Sequence, residues 1–105
     1  MSKLVRDKIP EILSKKGIKA ETRILTNDQE YLSALCDKLL EEVSEFIEVS
    51  AAQDDEHIKE ELADVLEVIN AICKLKEYDF DTIEDIRKKK QIERGGFEER
   101  IFSIF

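Results

Sequence analysis

Apolar residues recur at steps of three and four along most of this chain, a pattern that predicts helices. Between Asp28 and Gln53, Leu32, Leu35, Leu39, Val43 and Phe46 form one stripe, which Ile47 widens. From Asp55 to about Lys76, Ile58, Leu62, Val65, Ile69 and Ile72 form a second. Asn27 with Glu30, or Thr26 with Gln29, offers a capping box for the first helix, and Asp54-Asp55 opens the next. The two read as an antiparallel pair folded back near Gln53. Residues 1–17 read as a short helix, with Asp7 as its cap, Pro10 in its first turn and Lys15-Lys16-Gly17 as its stop. Ile18, Ala20, Thr22 and Ile24 alternate with Lys19, Glu21 and Arg23, so residues 18–25 are expected to form a short strand or extended segment. Asp81 with Glu84 begins a last helix, which carries its basic residues in the final turn and ends at Gly95-Gly96. The apolar tail, Phe97 to Phe105, is expected to pack on the body or on a partner. The fold class is all-α, a single domain over residues 1–105.

The acidic residues change this picture. Glu42–Glu45 and Glu61–Asp64 are each spaced i, i+3, and so lie one turn apart on one helix face. The pairs are mirror images about Gln53, so a fold-back there brings Glu42 level with Asp64 and Glu45 level with Glu61. Each pair then lies about 12–17 Å from the turn. Glu42 and Glu61 fall inside the apolar stripes, and Glu45 and Asp64 border them. A carboxylate on an apolar face is costly unless paired or metal-bound. With 25 acids in 105 residues, i, i+3 pairs on solvated faces also arise by chance, and Glu41, Glu48, Glu60 and Glu67 look like that kind. Two symmetric pairs on apolar faces favour a hard cation, Mg²⁺ or Mn²⁺, held by Glu42, Glu45, Glu61 and Asp64.

Composition limits the partners. The net charge of −8 argues against nucleic acid and anionic membrane. No run approaches the ~18 apolar residues of a membrane span, and the N-terminus lacks a signal peptide's apolar core, so a cytoplasmic protein is expected. Cys36 and Cys73 fall within helical apolar patterns and read as core thiols. The concentrated positive charge is Arg87 to Lys90, followed by Arg94. This is a solvated helix end or a phosphate-binding patch, in which Lys90 and Arg94 act together at i, i+4. Lys38, one turn before Glu42, reaches a phosphate or balances neighbouring acids. His57, the only histidine, reads as a surface residue in a first helical turn. No Gly-rich phosphate loop, Ser-His-Asp order or Cys-x-x-Cys motif is present. What remains is metal-assisted hydrolysis, with Glu45 or Glu42 as the base that deprotonates a water.

Glu41-Glu42-Val43-Ser44-Glu45, followed after fifteen residues by Glu61-Leu62-Ala63-Asp64, resembles the signature of the MazG-type nucleotide pyrophosphohydrolases, within the all-α NTP pyrophosphatase superfamily. The opening Lys3-Leu4-Val5-Arg6-Asp7-Lys8-Ile9-Pro10 and the close Lys90 to Glu98 resemble a phosphoribosyl-ATP pyrophosphohydrolase-like subgroup. The resemblance implies a helical bundle completed by dimerisation, sometimes by tetramerisation. It implies Mg²⁺-dependent cleavage of a nucleoside triphosphate between the α- and β-phosphates, giving a monophosphate and pyrophosphate. It assigns Glu42, Glu45, Glu61 and Asp64 as metal ligands or water-activating residues; Glu41 matches the signature but points away from the stripe. The rivals are a phosphoribosyl-ATP pyrophosphohydrolase of histidine biosynthesis, a di-metal carboxylate bundle and a helical interaction module without metal affinity. The di-metal bundle requires Glu-x-x-His on two helices, which a lone His57 does not supply.

Overall fold

In a computed structural model described for residues 2–105, the chain forms four helices: α1 (Ile9–Lys15), α2 (Asp28–Ala52), α3 (Asp55–Leu75) and α4 (Phe80–Arg94). The expected helix over 1–17 is confined to α1; Met1 lies outside the described residues. Asp7 does not cap it: Lys8 holds the N-cap position and makes no side-chain cap. Pro10, which has no N–H to leave unpaired, serves in the first turn. At the other end Gly17 adopts φ 78°, and the Ile18 N–H reaches the Leu13 carbonyl at 2.9 Å. That is the left-handed stop that glycine accommodates without strain.

The hairpin of α2 and α3 is the body of the molecule. Asn27 Oδ1 accepts from the Glu30 N–H at 2.9 Å, as its position before the apolar repeat requires. Gln53 turns the chain in the left-handed region (φ 57°), and Asp54 Oδ1 at once caps α3 through the His57 N–H at 3.3 Å. So short a connection makes the helices antiparallel neighbours, and α2 against α3 is the one extensive helix–helix packing among the described residues. Leu35, Val68 and Cys73 are its buried apolar residues.

Several expectations are corrected here. Residues 18–25 form no strand, and no strand occurs among the described residues. Their alternation finds no edge to pair with, and Ile24 is 84 % exposed. α4 starts at Phe80 rather than Asp81, because Asp79 is the cap and accepts from the Asp81 N–H at 3.0 Å. Cys73 is buried as expected, but Cys36 is exposed, since it lies on the side of α2 that α3 does not cover. The tail does not pack on its own body: Phe97, Ile101, Phe102, Ile104 and Phe105 are all exposed.

An apolar face remains bare on the hairpin itself. Cys36, Leu40, Val43 and Ile47 follow one another at steps of four, three and four, and Leu40 and Ile47 are 68 % and 60 % exposed. Leu62 and Leu66 of α3 are exposed as well. At about 100° per residue, both stripes fall on one side of the hairpin, opposite Glu41 and Glu67. The accessible surface is 9530 Å², against about 6,100 Å² for a folded monomer of this mass. The radius of gyration is 17.3 Å, against about 13 Å for a compact domain of this length. No helix among the described residues is long and apolar enough to cross a membrane.

Candidate metal centre

Glu42 and Glu45 project from α2, and Glu61 and Asp64 from α3. One carboxylate oxygen from each of Glu42, Glu45 and Glu61 lies within 4.8 Å of the others. Glu42 is buried, only 6 % exposed, amid the apolar stripe that produced Leu35 and Phe46. Its Oε1 forms an ion pair with Lys38 Nζ at 3.2 Å, while its Oε2 and the Oε2 of Glu61 are buried with no hydrogen-bond partner. Two buried carboxylate oxygens without partners are costly unless a cation or proton sits between them. Burial first, then hydrogen bonding with Glu45 and its charge, push Glu61 up to about 7. Without a cation the cluster therefore keeps a proton near neutrality in its place.

Asp64 stands apart from this trio. Arg6 Nη2 donates to Asp64 Oδ1 at 2.7 Å, and Arg6 Nη1 lies 3.7 Å from Glu67 Oε2. Glu41, on the outer side of α2, is held by Lys3 Nζ at 2.7 Å and Lys38 Nζ at 3.2 Å. The Lys3 ammonium holds the Glu41 carboxyl below the usual range, and Lys38 adds to this. Burial pulls Lys38 itself down, but hydrogen bonds to Glu41 and Glu42 outweigh it and leave the ammonium raised. Lys38 is thus a fixed charge beside the trio. A cleft of about 620 Å³ opens next to it, bounded by Glu42, Asp64 and Lys38 and by the N-terminal segment.

Residues 30–95 match the family model described as the MazG nucleotide pyrophosphohydrolase domain. The chain belongs to that family. Comparisons with curated proteins and with solved structures return no match. The match takes in all of α2 but its first two residues, and the whole of α3 and α4, and therefore all four predicted acids; the N-terminal segment lies outside it. Lys90 and Arg94 also lie within the matched range, but neither lines the cleft, and α4 has no extensive packing on the hairpin. Arg87 of the same basic run is paired with Glu84 one turn earlier. His57 is exposed, 2.7 Å from Asp54 Oδ2, and takes no part in the cluster.

The opening block carried part of the resemblance, but nothing in it placed Lys3 or Arg6 at the site. Neither belongs to a periodic stripe, and 58 residues separate Arg6 from Asp64. The trio is compatible with a divalent ion by the chemistry of its donors: oxygen only, anionic, and partly unpartnered.

Proposed function

We propose that the protein is a Mg²⁺-dependent nucleoside triphosphate pyrophosphohydrolase, cleaving between the α- and β-phosphates to give a monophosphate and pyrophosphate. The observation that carries this reading is the trio Glu42, Glu45 and Glu61, with two buried unpartnered oxygens, beside a nucleotide-sized cleft in a MazG domain. Glu42, Glu45 and Glu61 would hold the ion, with Asp64 joining them through the carboxylate oxygen that Arg6 does not take. Bound Mg²⁺, or Mn²⁺, would neutralise phosphate oxygens and polarise water. The chain's own part is to align the attacking water and take its proton on Glu45 or Glu42. Lys38, already held at the trio, would supply positive charge to the phosphates.

The working unit is proposed to be a homodimer, or a tetramer built from it. The bare stripe of Cys36, Leu40, Val43 and Ile47, continued by Leu62 and Leu66, is what a second hairpin would cover. Lys90 and Arg94, which lie off the cleft on a helix with no extensive packing among the described residues, would reach the phosphates when assembly fixes α4. Incubation with a panel of nucleoside triphosphates and Mg²⁺, followed by product analysis, tests the reaction. Monophosphate and pyrophosphate in equal amounts support it. Orthophosphate alone, or no turnover of any nucleotide, overturns it.

A further inference from the structure

One wall of the cleft comes from residues that the family match does not include. The segment around Lys3 to Asp7 crosses the hairpin on its Glu41 and Glu67 side, and two ion pairs of 2.7 Å, Lys3 to Glu41 and Arg6 to Asp64, fix it there. Arg6 lines the cleft, and its side chain remains 55 % exposed although it is tethered. A guanidinium carries five N–H donors in a planar fork. Asp64 takes one of them and Glu67 lies at longer range, so much of the fork is unspent and open to the cleft. Lys38 and Tyr31 line the same cleft.

The charges in the cleft are mixed, and that decides what it fits. Glu42 and Asp64 would repel a bare polyanion, while Arg6 and Lys38 would repel a bare cation. A phosphate chain arriving with a divalent ion satisfies both sets. An exposed ion pair contributes little to stability by itself, so holding the fold together is a weak reason for Arg6 to be there. A carboxylate that grips one edge of the fork also orients the other edge, and a planar donor pair matches two oxygens of one phosphate.

We propose that Arg6 is a substrate-binding residue: anchored by Asp64, it holds phosphate oxygens of the nucleotide beside the carboxylate trio, with Lys38 as the second cation. The inference rests on the pyrophosphohydrolase reading and adds to it a binding residue from outside the MazG domain.

Inorganic triphosphate with Mg²⁺ probes the phosphate contacts without a choice of base, and calorimetry reads its affinity. Arg6→Ala should weaken it roughly 10- to 100-fold, as expected for lost charge-assisted hydrogen bonds. The KM for the nucleotide should rise by a similar factor, with kcat, Mn²⁺ affinity in the absence of nucleotide and melting temperature staying close to wild type. Arg6→Lys, which keeps the charge and the tether but loses the fork, should recover part of the affinity, and it carries the test if Arg6→Ala fails to fold. Unchanged triphosphate affinity in both variants overturns the proposal. So does a loss of Mn²⁺ affinity and melting temperature alongside it, which makes Arg6 a brace for Asp64. Wild-type protein that hydrolyses no nucleotide overturns the pyrophosphohydrolase reading instead. Turnover in the wild type with KM and triphosphate affinity unchanged in the variants overturns only the role of Arg6.

Discussion

The α2·α3 hairpin and the region from α4 to the C-terminus are both charged helical segments with regularly spaced apolar residues, and the single chain treats them differently. In the hairpin, the two-residue connection of Gln53 and Asp54 brings two stripes together at once, and Leu35, Val68 and Cys73 become buried. In α4 no residue is buried, and Ile83, Ile86 and Ile92 remain exposed, as does Phe102 at 95 %. A local turn makes packing cheap because closing a short loop costs little entropy. α4 also follows α3 after a short connection, Lys76 to Asp79, yet has no extensive packing on the hairpin, so a short loop permits packing and a matching apolar stripe decides it. The acids are consequently fixed by one chain, whereas the basic residues Lys90 and Arg94 are not.

The comparison makes the acids and the basic end experimentally separable. Glu42→Gln, Glu45→Gln or Glu61→Gln should lower kcat by roughly 10²–10⁴-fold in a steady-state assay, because each removes a proposed metal ligand or the proposed base. A variant of the trio with near-normal kcat would show that the hairpin does not carry the chemistry. Next in size is the bare stripe. Leu40→Glu places a charge where a partner is expected and should cost the dimer roughly 2 kcal/mol or more, read by analytical ultracentrifugation as a shift to monomer. Should α4 depend on assembly, the same variant would also lose nucleotide affinity.

A smaller effect is expected at the basic end. Lys90→Ala and Arg94→Ala should each raise KM by roughly tenfold, leaving Mg²⁺ affinity of the trio unaltered; equal loss of metal affinity would erase the distinction between the regions. The smallest effect is on stability against pH. Glu61 is pushed up to about 7 when folded, above the 4.5 of a free glutamate. Between those values the folded protein keeps a proton that the unfolded chain has released, so metal-free stability should fall as pH rises from about 4.5 to about 7 and then level off. Glu61→Gln should flatten that slope in urea melts and stabilise the metal-free protein near neutral pH, and Mg²⁺ should oppose the fall. Asp64→Asn should not stabilise it in the same way, because Asp64 already has Arg6 as a partner.

That last contrast follows from the pairing of Asp64 with Arg6, which sets it apart from the trio. The i, i+3 spacing places Glu42 with Glu45 and Glu61 with Asp64, and the mirror about Gln53 places the two pairs level. Nothing in either pattern specifies that Arg6, from a segment without periodicity, takes up Asp64. The helices were legible for the same reason the acids were: both are set by spacing along one helix and by a turn of two residues. Asn27 as cap and Gly17 and Gly95 as stops follow from local backbone chemistry. Residues 18–25 form no strand and the tail stays off its own body, because alternation and apolarity say that a segment can pack, not what it packs against.

The sequence by itself determined the helix boundaries to within a few residues, the hairpin, the membership of Glu42, Glu45 and Glu61 in one facing set, and the signature that the MazG match bears out. Those depend on interactions between near neighbours, or on helical period alone. The tertiary structure decided that Glu42 is buried with an unpartnered oxygen, and that Arg6 crosses to Asp64 while Lys90 and Arg94 stay off the cleft. Those depend on which distant groups meet once the apolar stripes are closed, and electrostatic pairing over such separations leaves no period in the chain to read.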